Sequence, residues 1–152
     1  MKINWKKLLI CLAIPLAAGG LSALLSGGMG DYKDLTQPPL SPPGWVFPVV
    51  WSILYLLMGY ASYRVLISGK EYKKALLLYG GQLIANFLWS PVFFGLGWYL
   101  TAFFLLIALW ALIWLTMRAF SKIDEKAGDL LLPYIIWVTF AGYLNLGVYL
   151  LN

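Results

Sequence analysis

Three sets of polar and aromatic residues recur at helical spacing, and they are the side chains on which binding chemistry could rest. At i, i+3 or i+4, i+7 and i+11 a helix carries its side chains on one face. Small-molecule pockets are mostly apolar and aromatic, with a few placed polar groups against which a flat ligand stacks and bonds. The spacing therefore predicts three pocket-lining faces: Trp51, Tyr55, Met58 and Ser62; Gln82, Asn86, Trp89 and Phe93; and Tyr134, Trp137, Ala141 and Asn145.

The same pattern has a second interpretation. Gln82, Asn86 and Asn145 could bond only to neighbouring helices, a role worth roughly 0.6–2 kcal/mol for each residue in a membrane. A structural membrane subunit would need no more than this, although it would not require three converging faces.

The residue types that are absent exclude several reactions. The chain has no His, which removes imidazole bases and His-ligated zinc or haem. Cys11 is the single cysteine, so neither an internal disulfide nor a CxxC redox pair can form. We predict no metal site and no cofactor.

The elements that must position these faces follow from composition. Of 152 residues, 62% are hydrophobic and 11% are charged, whereas soluble domains carry about 25% charged residues. Because about 20 apolar residues cross a bilayer, the sequence predicts an all-α integral membrane protein, a bundle of five transmembrane helices forming one domain over 1–152. The spans are predicted at about Leu8–Ser26, Trp45–Ile67, Ala75–Leu96, Trp98–Met117 and Leu130–Leu151.

The basic residues predict the orientation of the bundle. With the N-terminus inside, 10 of the 11 basic residues fall on the inner side and Lys33 alone on the outer side, as the positive-inside rule expects. The net charge of +5 is thus read as orienting the chain in a membrane, and no nucleic-acid partner is predicted.

The outer segment 27–43 is long and rich in Gly and Pro, which is typical of a functional lid or a solvated tether. The three faces converge beneath it, so we expect it to roof a cavity.

Pro91 leaves the Phe87 carbonyl without its helical donor. The pairs Gly19/Ala23 and Ala13/Ala17 predict close helix packing or a homodimer face.

Three blocks of uncommon residues resemble the translocator protein family, also called tryptophan-rich sensory proteins (TspO/MBR). They are PPLSPPGWVFPVVWSILYLLMGYA (Pro38–Ala61), QLIANFLWSPVFF (Gln82–Phe94) and AGDLLLPYIIWVTFAGYLN (Ala127–Asn145). The resemblance covers nearly the whole chain and implies a five-helix, usually dimeric membrane protein that binds tetrapyrroles such as protoporphyrin IX. It also implies isoquinoline and benzodiazepine drugs and membrane lipid as partners.

Carried over residue by residue, the family's ligand pocket implies that Tyr32, Pro42, Trp51, Asn86, Trp89, Trp137, Ala141 and Asn145 bind the ligand. Tyr55 joins them from the spacing argument. The resemblance also implies an alternative activity, light- and oxygen-dependent porphyrin degradation, in which Trp51 and Trp137 would be catalytic.

A further alternative is facilitated transport of porphyrin or lipid, because no ionisable residue lies at the predicted midplane to couple an ion. No basic residue follows Tyr143 or Tyr149, which departs from the animal cholesterol motif. The short tail and basic N-terminus resemble bacterial members and predict the bacterial cytoplasmic membrane.

Overall fold

Among the described residues, five helices are long and apolar enough to cross a membrane, which confirms the predicted all-α membrane bundle. The computed structural model describes residues 2–27 and 34–152. The helices are α1 (Trp5–Leu25), α2 (Val46–Leu66), α3 (Lys73–Ser90), α4 (Tyr99–Ile123), α5 (Glu125–Leu130) and α6 (Leu132–Leu151), and a π-helical turn (Pro91–Gly95) continues α3.

The path of the chain gives the bundle two distinct ends. Residues 34–45, the turn between α3 and α4, and Asn152 share one end, here called the loop end. The start of α1, the α2–α3 connection and Asp124 share the other, here called the basic end. The tight turn at the loop end passes through Gly97, whose φ of +68° is a left-handed conformation that glycine adopts without steric cost.

The fourth helix is longer than the sequence predicts. It ends at Ile123 rather than Met117, because Phe120 is fully buried and continues its apolar face. Asp124 then adopts an extended conformation (φ −148°, ψ 111°). Its side chain accepts a hydrogen bond of 3.2 Å from the Ala127 amide and so caps α5.

Helix packing is closest where glycine removes a side chain. The most extensive contacts join α1 to α2, α3 to α4, and α4 to α6. A Cβ on Gly59 would lie 2.6 Å from the Cys11 carbonyl oxygen, so glycine is what permits α1 and α2 to approach. At the basic end, Arg64 on α2 forms an ion pair of 3.1 Å with Asp124 and ties α2 to the α4–α5 connection.

Pro91 shapes the end of α3. The Phe87 carbonyl, which proline cannot bond, accepts a hydrogen bond of 2.7 Å from Ser22 Oγ on α1. Beyond Pro91 the chain widens into the π-helical turn, and the Leu96 amide bonds the Pro91 carbonyl at 2.9 Å. Serine therefore satisfies the acceptor that proline leaves open, and it fixes α1 against α3.

Candidate ligand cavity

A cavity of about 430 Å³ lies between α1, α2 and α3 in the half of the bundle nearest the loop end. Its volume falls within the range of small-molecule sites, about 300–1,000 Å³. None of the described lining residues is charged, so the cavity suits the uncharged part of a ligand. The lining residues are Leu16, Gly19, Gly20, Ser22, Ala23, Phe47, Pro48, Trp51, Ser52, Tyr55, Asn86, Trp89, Ser90 and Phe94.

Aromatic rings form two walls of the cavity. On α2 the Trp51 and Tyr55 rings stack with centroids 5.7 Å apart. On the side of α3, Trp89 meets Phe94 edge to face at 5.9 Å. Such pairs contribute about 0.5–1.5 kcal/mol beyond the area that they bury, so the walls hold their shape and offer ring faces to a flat ligand.

The third wall is α1, and it is made of small residues. A Cβ on Gly19 would overlap the Tyr55 ring, so glycine at this position lets the tyrosine lie against the helix backbone. A Cβ on the next residue, Gly20, would meet no atom within 4 Å. The space of the cavity therefore depends on missing side chains on α1 as much as on the rings opposite.

A chain of hydrogen bonds leads from the cavity into the bundle. Tyr55 Oη donates to Asn86 Oδ1 at 3.1 Å, and Asn86 Nδ2 donates to Tyr134 Oη at 2.6 Å. Tyr134 Oη in turn donates to Gln82 Oε1 at 2.6 Å, and Gln82 Nε2 faces Met58 Sδ at 3.9 Å. These contacts join α2, α3 and α6 through side chains of all three faces.

A second set of bonds fixes the Trp89 indole. Its Nε1 donates to Asn145 Oδ1 at 3.0 Å, and Asn145 Nδ2 donates to the Tyr99 carbonyl at 2.8 Å. Two serine hydroxyls of the lining also bond to backbone carbonyls: Ser22 to Phe87 and Ser52 to Pro48, each at 2.7 Å.

Four of the predicted site residues line the cavity: Trp51, Tyr55, Asn86 and Trp89. Asn145 lies behind this lining, 1% exposed, and holds Trp89 in place. The face of α6 therefore supports the α3 wall from behind rather than lining the cavity itself.

The remaining predicted residues lie elsewhere. Ala141 is buried in the hydrophobic core. Trp137 is half-buried, its ring packs 5.9 Å from Phe47, and its Nε1 has no hydrogen-bond partner among the described residues. Pro42 is half-buried in the segment before α2. Tyr32 lies outside the described residues.

The described part of the long loop lies on α6 rather than over this cavity. The Thr36 amide donates to Asn152 Oδ1 at 3.1 Å, and Tyr143 Oη donates to the Pro39 carbonyl at 2.7 Å. A Cβ on Gly147 would come within 2.5 Å of the Pro38 ring. Residues 34–43, which the sequence predicts to lie over the cavity, therefore cover the end of α6 instead. Residues 28–33 lie outside the described range.

The α1 wall is the part of the site that spacing alone does not identify. Leu16, Gly20 and Ala23 carry no polar or aromatic group that would mark a face. The one available signal is the Gly19/Ala23 pair, which predicts close packing. The structure places that packing inside the chain, against Tyr55, with both residues on the cavity.

Comparison with known proteins agrees with this architecture. The profile of the TspO/MBR family matches residues 11–151. The tryptophan-rich sensory protein of Cereibacter sphaeroides is 40% identical over 153 residues, which cover 100% of this chain and 95% of that one. The tryptophan-rich protein TspO of Chlorobaculum tepidum is 37% identical over 150 residues, 95% of each chain.

An animal relative matches at nearly the same level. The translocator protein of Bos taurus is 38% identical over 141 residues, which cover 87% of this chain and 82% of that one. With a family profile over nearly its whole length and a bundle of five membrane-spanning helices, the chain belongs to the TspO/MBR family of integral membrane sensory and translocator proteins.

Proposed function

We propose that the chain is a membrane receptor that binds a flat aromatic ligand, a tetrapyrrole such as protoporphyrin IX, in the cavity between α1, α2 and α3. Membership of the TspO/MBR family supports a receptor or sensor role. The ligand class rests on the residues of the cavity and on the resemblance of its motifs.

The observation that carries the proposal is the pairing of ring faces with an uncharged interior. Trp51 and Tyr55 face the cavity from α2, and Trp89 and Phe94 face it from the α3 side. A tetrapyrrole would insert one edge of its macrocycle between these rings. Its propionate groups would stay at the loop end, because an unpaired carboxylate inside the cavity would lose its hydration without a charged partner.

The experiment is a binding titration of the purified protein in lipid nanodiscs, in the dark and without oxygen. Protoporphyrin IX should bind saturably, and an isoquinoline carboxamide should displace it competitively, because both would occupy one cavity. If porphyrin binds saturably and the isoquinoline does not displace it, the two ligands bind at different sites. The proposal that they share this cavity would then be wrong.

Light-dependent porphyrin degradation is the second candidate, and the surroundings of Trp51 favour it. The Trp51 ring lies 5.7 Å from Tyr55 and 6.2 Å from Tyr134, so an oxidisable ring at the cavity has two further oxidisable neighbours. Illumination with oxygen should then give a defined product in the wild type and not in Trp51→Phe. Bleaching at the rate of free porphyrin in both proteins would reject this activity.

The proposal places the receptor in the bacterial cytoplasmic membrane as a homodimer with its N-terminus inside. Labelling tests the orientation: in a Cys11→Ser background, Asp34→Cys at the loop end should react with an impermeant maleimide in intact cells, whereas Lys70→Cys should react only after lysis. The opposite pattern of labelling would show that the N-terminus lies outside.

Of the two small-residue pairs on α1, Ala13 and Ala17 are exposed, so a homodimer would use this pair.

A further inference from the structure

We propose that the cavity presents its ligand with a hydrogen-bond acceptor, the Tyr55 oxygen. Met58, at the inner end of the chain of hydrogen bonds, sets the direction in which each group of that chain donates, which is here called its polarity. The cavity would then select ligands that carry an N–H or O–H donor over ligands of equal shape that carry only an acceptor. This inference rests on the proposed function only in that the ligand enters this cavity. It adds the chemical group that the ligand must present there.

The direction of the chain follows from the atom at its inner end. A thioether sulfur can accept a hydrogen bond but cannot donate one. Met58 Sδ therefore turns the Gln82 amide so that Nε2 faces the sulfur, and the Gln82 oxygen is left to accept from Tyr134.

Every bond further along is then determined. Tyr134 has a single hydroxyl proton, and because Gln82 takes it, Tyr134 must accept from Asn86 Nδ2. The Asn86 oxygen consequently faces Tyr55 and takes its proton. The protons donated along the chain point away from the cavity, and Tyr55, which lines it, is left with oxygen lone pairs.

Burial makes the polarity costly to reverse. Gln82 and Tyr134 are each 1% exposed, and Asn86 is 6% exposed. Turning one amide alone would place two acceptors or two donors against each other where no water can compensate. Turning both together would leave the Gln82 oxygen against the Met58 sulfur, which are two acceptors. The sulfur therefore favours the direction in which Tyr55 donates to Asn86.

Three other lining side chains also direct their protons to protein acceptors. Ser22 and Ser52 donate to backbone carbonyls, and the Trp89 indole donates to Asn145. Asn145 cannot turn, because an indole only donates and the Tyr99 carbonyl on its other side only accepts. With Tyr55, four lining side chains thus direct a donor proton to a protein acceptor rather than to the ligand.

The test uses two tricyclic compounds of nearly equal shape. Carbazole carries an N–H donor where dibenzofuran carries an ether oxygen, and both fit the cavity volume. Isothermal titration in nanodiscs should show that the wild type binds carbazole roughly five- to tenfold more tightly, the difference expected of one neutral hydrogen bond. Tyr55→Phe should remove the preference.

Met58→Leu tests the origin of the polarity. It conserves volume at a fully buried position and removes only the sulfur. Both tricycles should still bind, but their affinities should become nearly equal. Met117→Leu makes the same chemical change on α4 outside the cavity lining, and it should keep the wild-type preference.

The outcomes separate this inference from the proposed function. Equal affinities, tighter dibenzofuran binding, absence of carbazole binding, or a preference unchanged in Met58→Leu would overturn the inference, even if protoporphyrin IX binds. A carbazole preference that depends on Tyr55 and Met58 would uphold it, even if protoporphyrin IX fails to bind and the tetrapyrrole class is lost.

Discussion

Tyr55 on α2 donates a hydrogen bond to Asn86 on α3 across 3.1 Å, and both residues line the cavity. The contact holds the Tyr55 ring between the backbone of α1 and the Trp51 ring. The shape of the cavity and its hydrogen-bonding character therefore depend on the same tyrosine.

The first prediction concerns the glycine beneath that ring. Gly19→Ala should displace Tyr55, break its bond to Asn86, and lower protoporphyrin affinity about tenfold, with a loss of stability in the range of overpacking, about 1–3 kcal/mol. Thermal unfolding and titration in the same detergent measure both effects. Gly20→Ala is the matched control for stability: its Cβ meets no atom, and it should stabilise α1 by about 0.5–1 kcal/mol. Equal stability of the two variants would contradict the packing described.

The second prediction concerns the carbonyl released by Pro91. Ser22→Ala should destabilise the protein by about 1–3 kcal/mol, because the Phe87 carbonyl loses its donor. In a Pro91→Ala background the restored amide can bond that carbonyl, so the same serine substitution should cost less. A double-mutant cycle measures this coupling, and strict additivity would show that Ser22 does not compensate for the proline.

The third prediction concerns Ala141, which the family resemblance places in the pocket and the structure places in the core at 4% exposure. Ala141→Phe should overpack α6 and lower stability by about 1–3 kcal/mol, and any loss of ligand binding should follow from that change. Unfolding curves with and without ligand decide the matter. If Ala141→Phe loses ligand binding while its stability is unchanged, Ala141 would be a residue of the ligand site, contrary to this prediction.

The fourth prediction is a pH dependence at the basic end. Burial raises the pKa of the Asp124 carboxyl, but hydrogen bonds from Arg64 and from the Ala127 amide outweigh it and hold the pKa below its usual range. A lowered folded-state pKa stabilises the protein fully above the ordinary Asp value, about 3.9, and this stabilisation disappears as the pH falls through the folded value.

Acid unfolding of the wild type should therefore include a contribution from Asp124 below about pH 4. Asp124→Asn retains the capping oxygen but cannot titrate, so it should be less stable at neutral pH and should converge with the wild type in acid. Parallel pH profiles for the two proteins would show that the ion pair contributes no stability.

Helical periodicity predicts much of the lining of the candidate cavity, because polar side chains within an apolar helix must turn towards the bundle. Trp51, Tyr55, Asn86 and Trp89 share the cavity as their spacing predicts. Periodicity could not show which neighbour closes the space. The α1 residues on the cavity are small and apolar, and their place depends on how closely Gly19 and Gly59 let the helices approach.

Spacing also places Asn145 on the inward face of α6 but does not identify its partner. The Trp89 indole takes the Asn145 oxygen, and the asparagine becomes a support for the lining. The end of α4 is a similar case. An apolar residue beyond the first charges, Phe120, extends the helix past Arg118 to Ile123 because it is buried against the core.

The measurement that tests the central claim most directly is the quenching of tryptophan fluorescence by protoporphyrin IX in the dark, compared between the wild type, Trp51→Phe and Trp110→Phe. Trp110 is exposed on α4 and is absent from the cavity lining. The account predicts saturable quenching in the wild type and a severalfold weaker affinity in Trp51→Phe, because the smaller ring covers less of the ligand. It predicts wild-type affinity in Trp110→Phe. Quenching that fails to saturate, or affinity that is unchanged in Trp51→Phe, would contradict binding in this cavity.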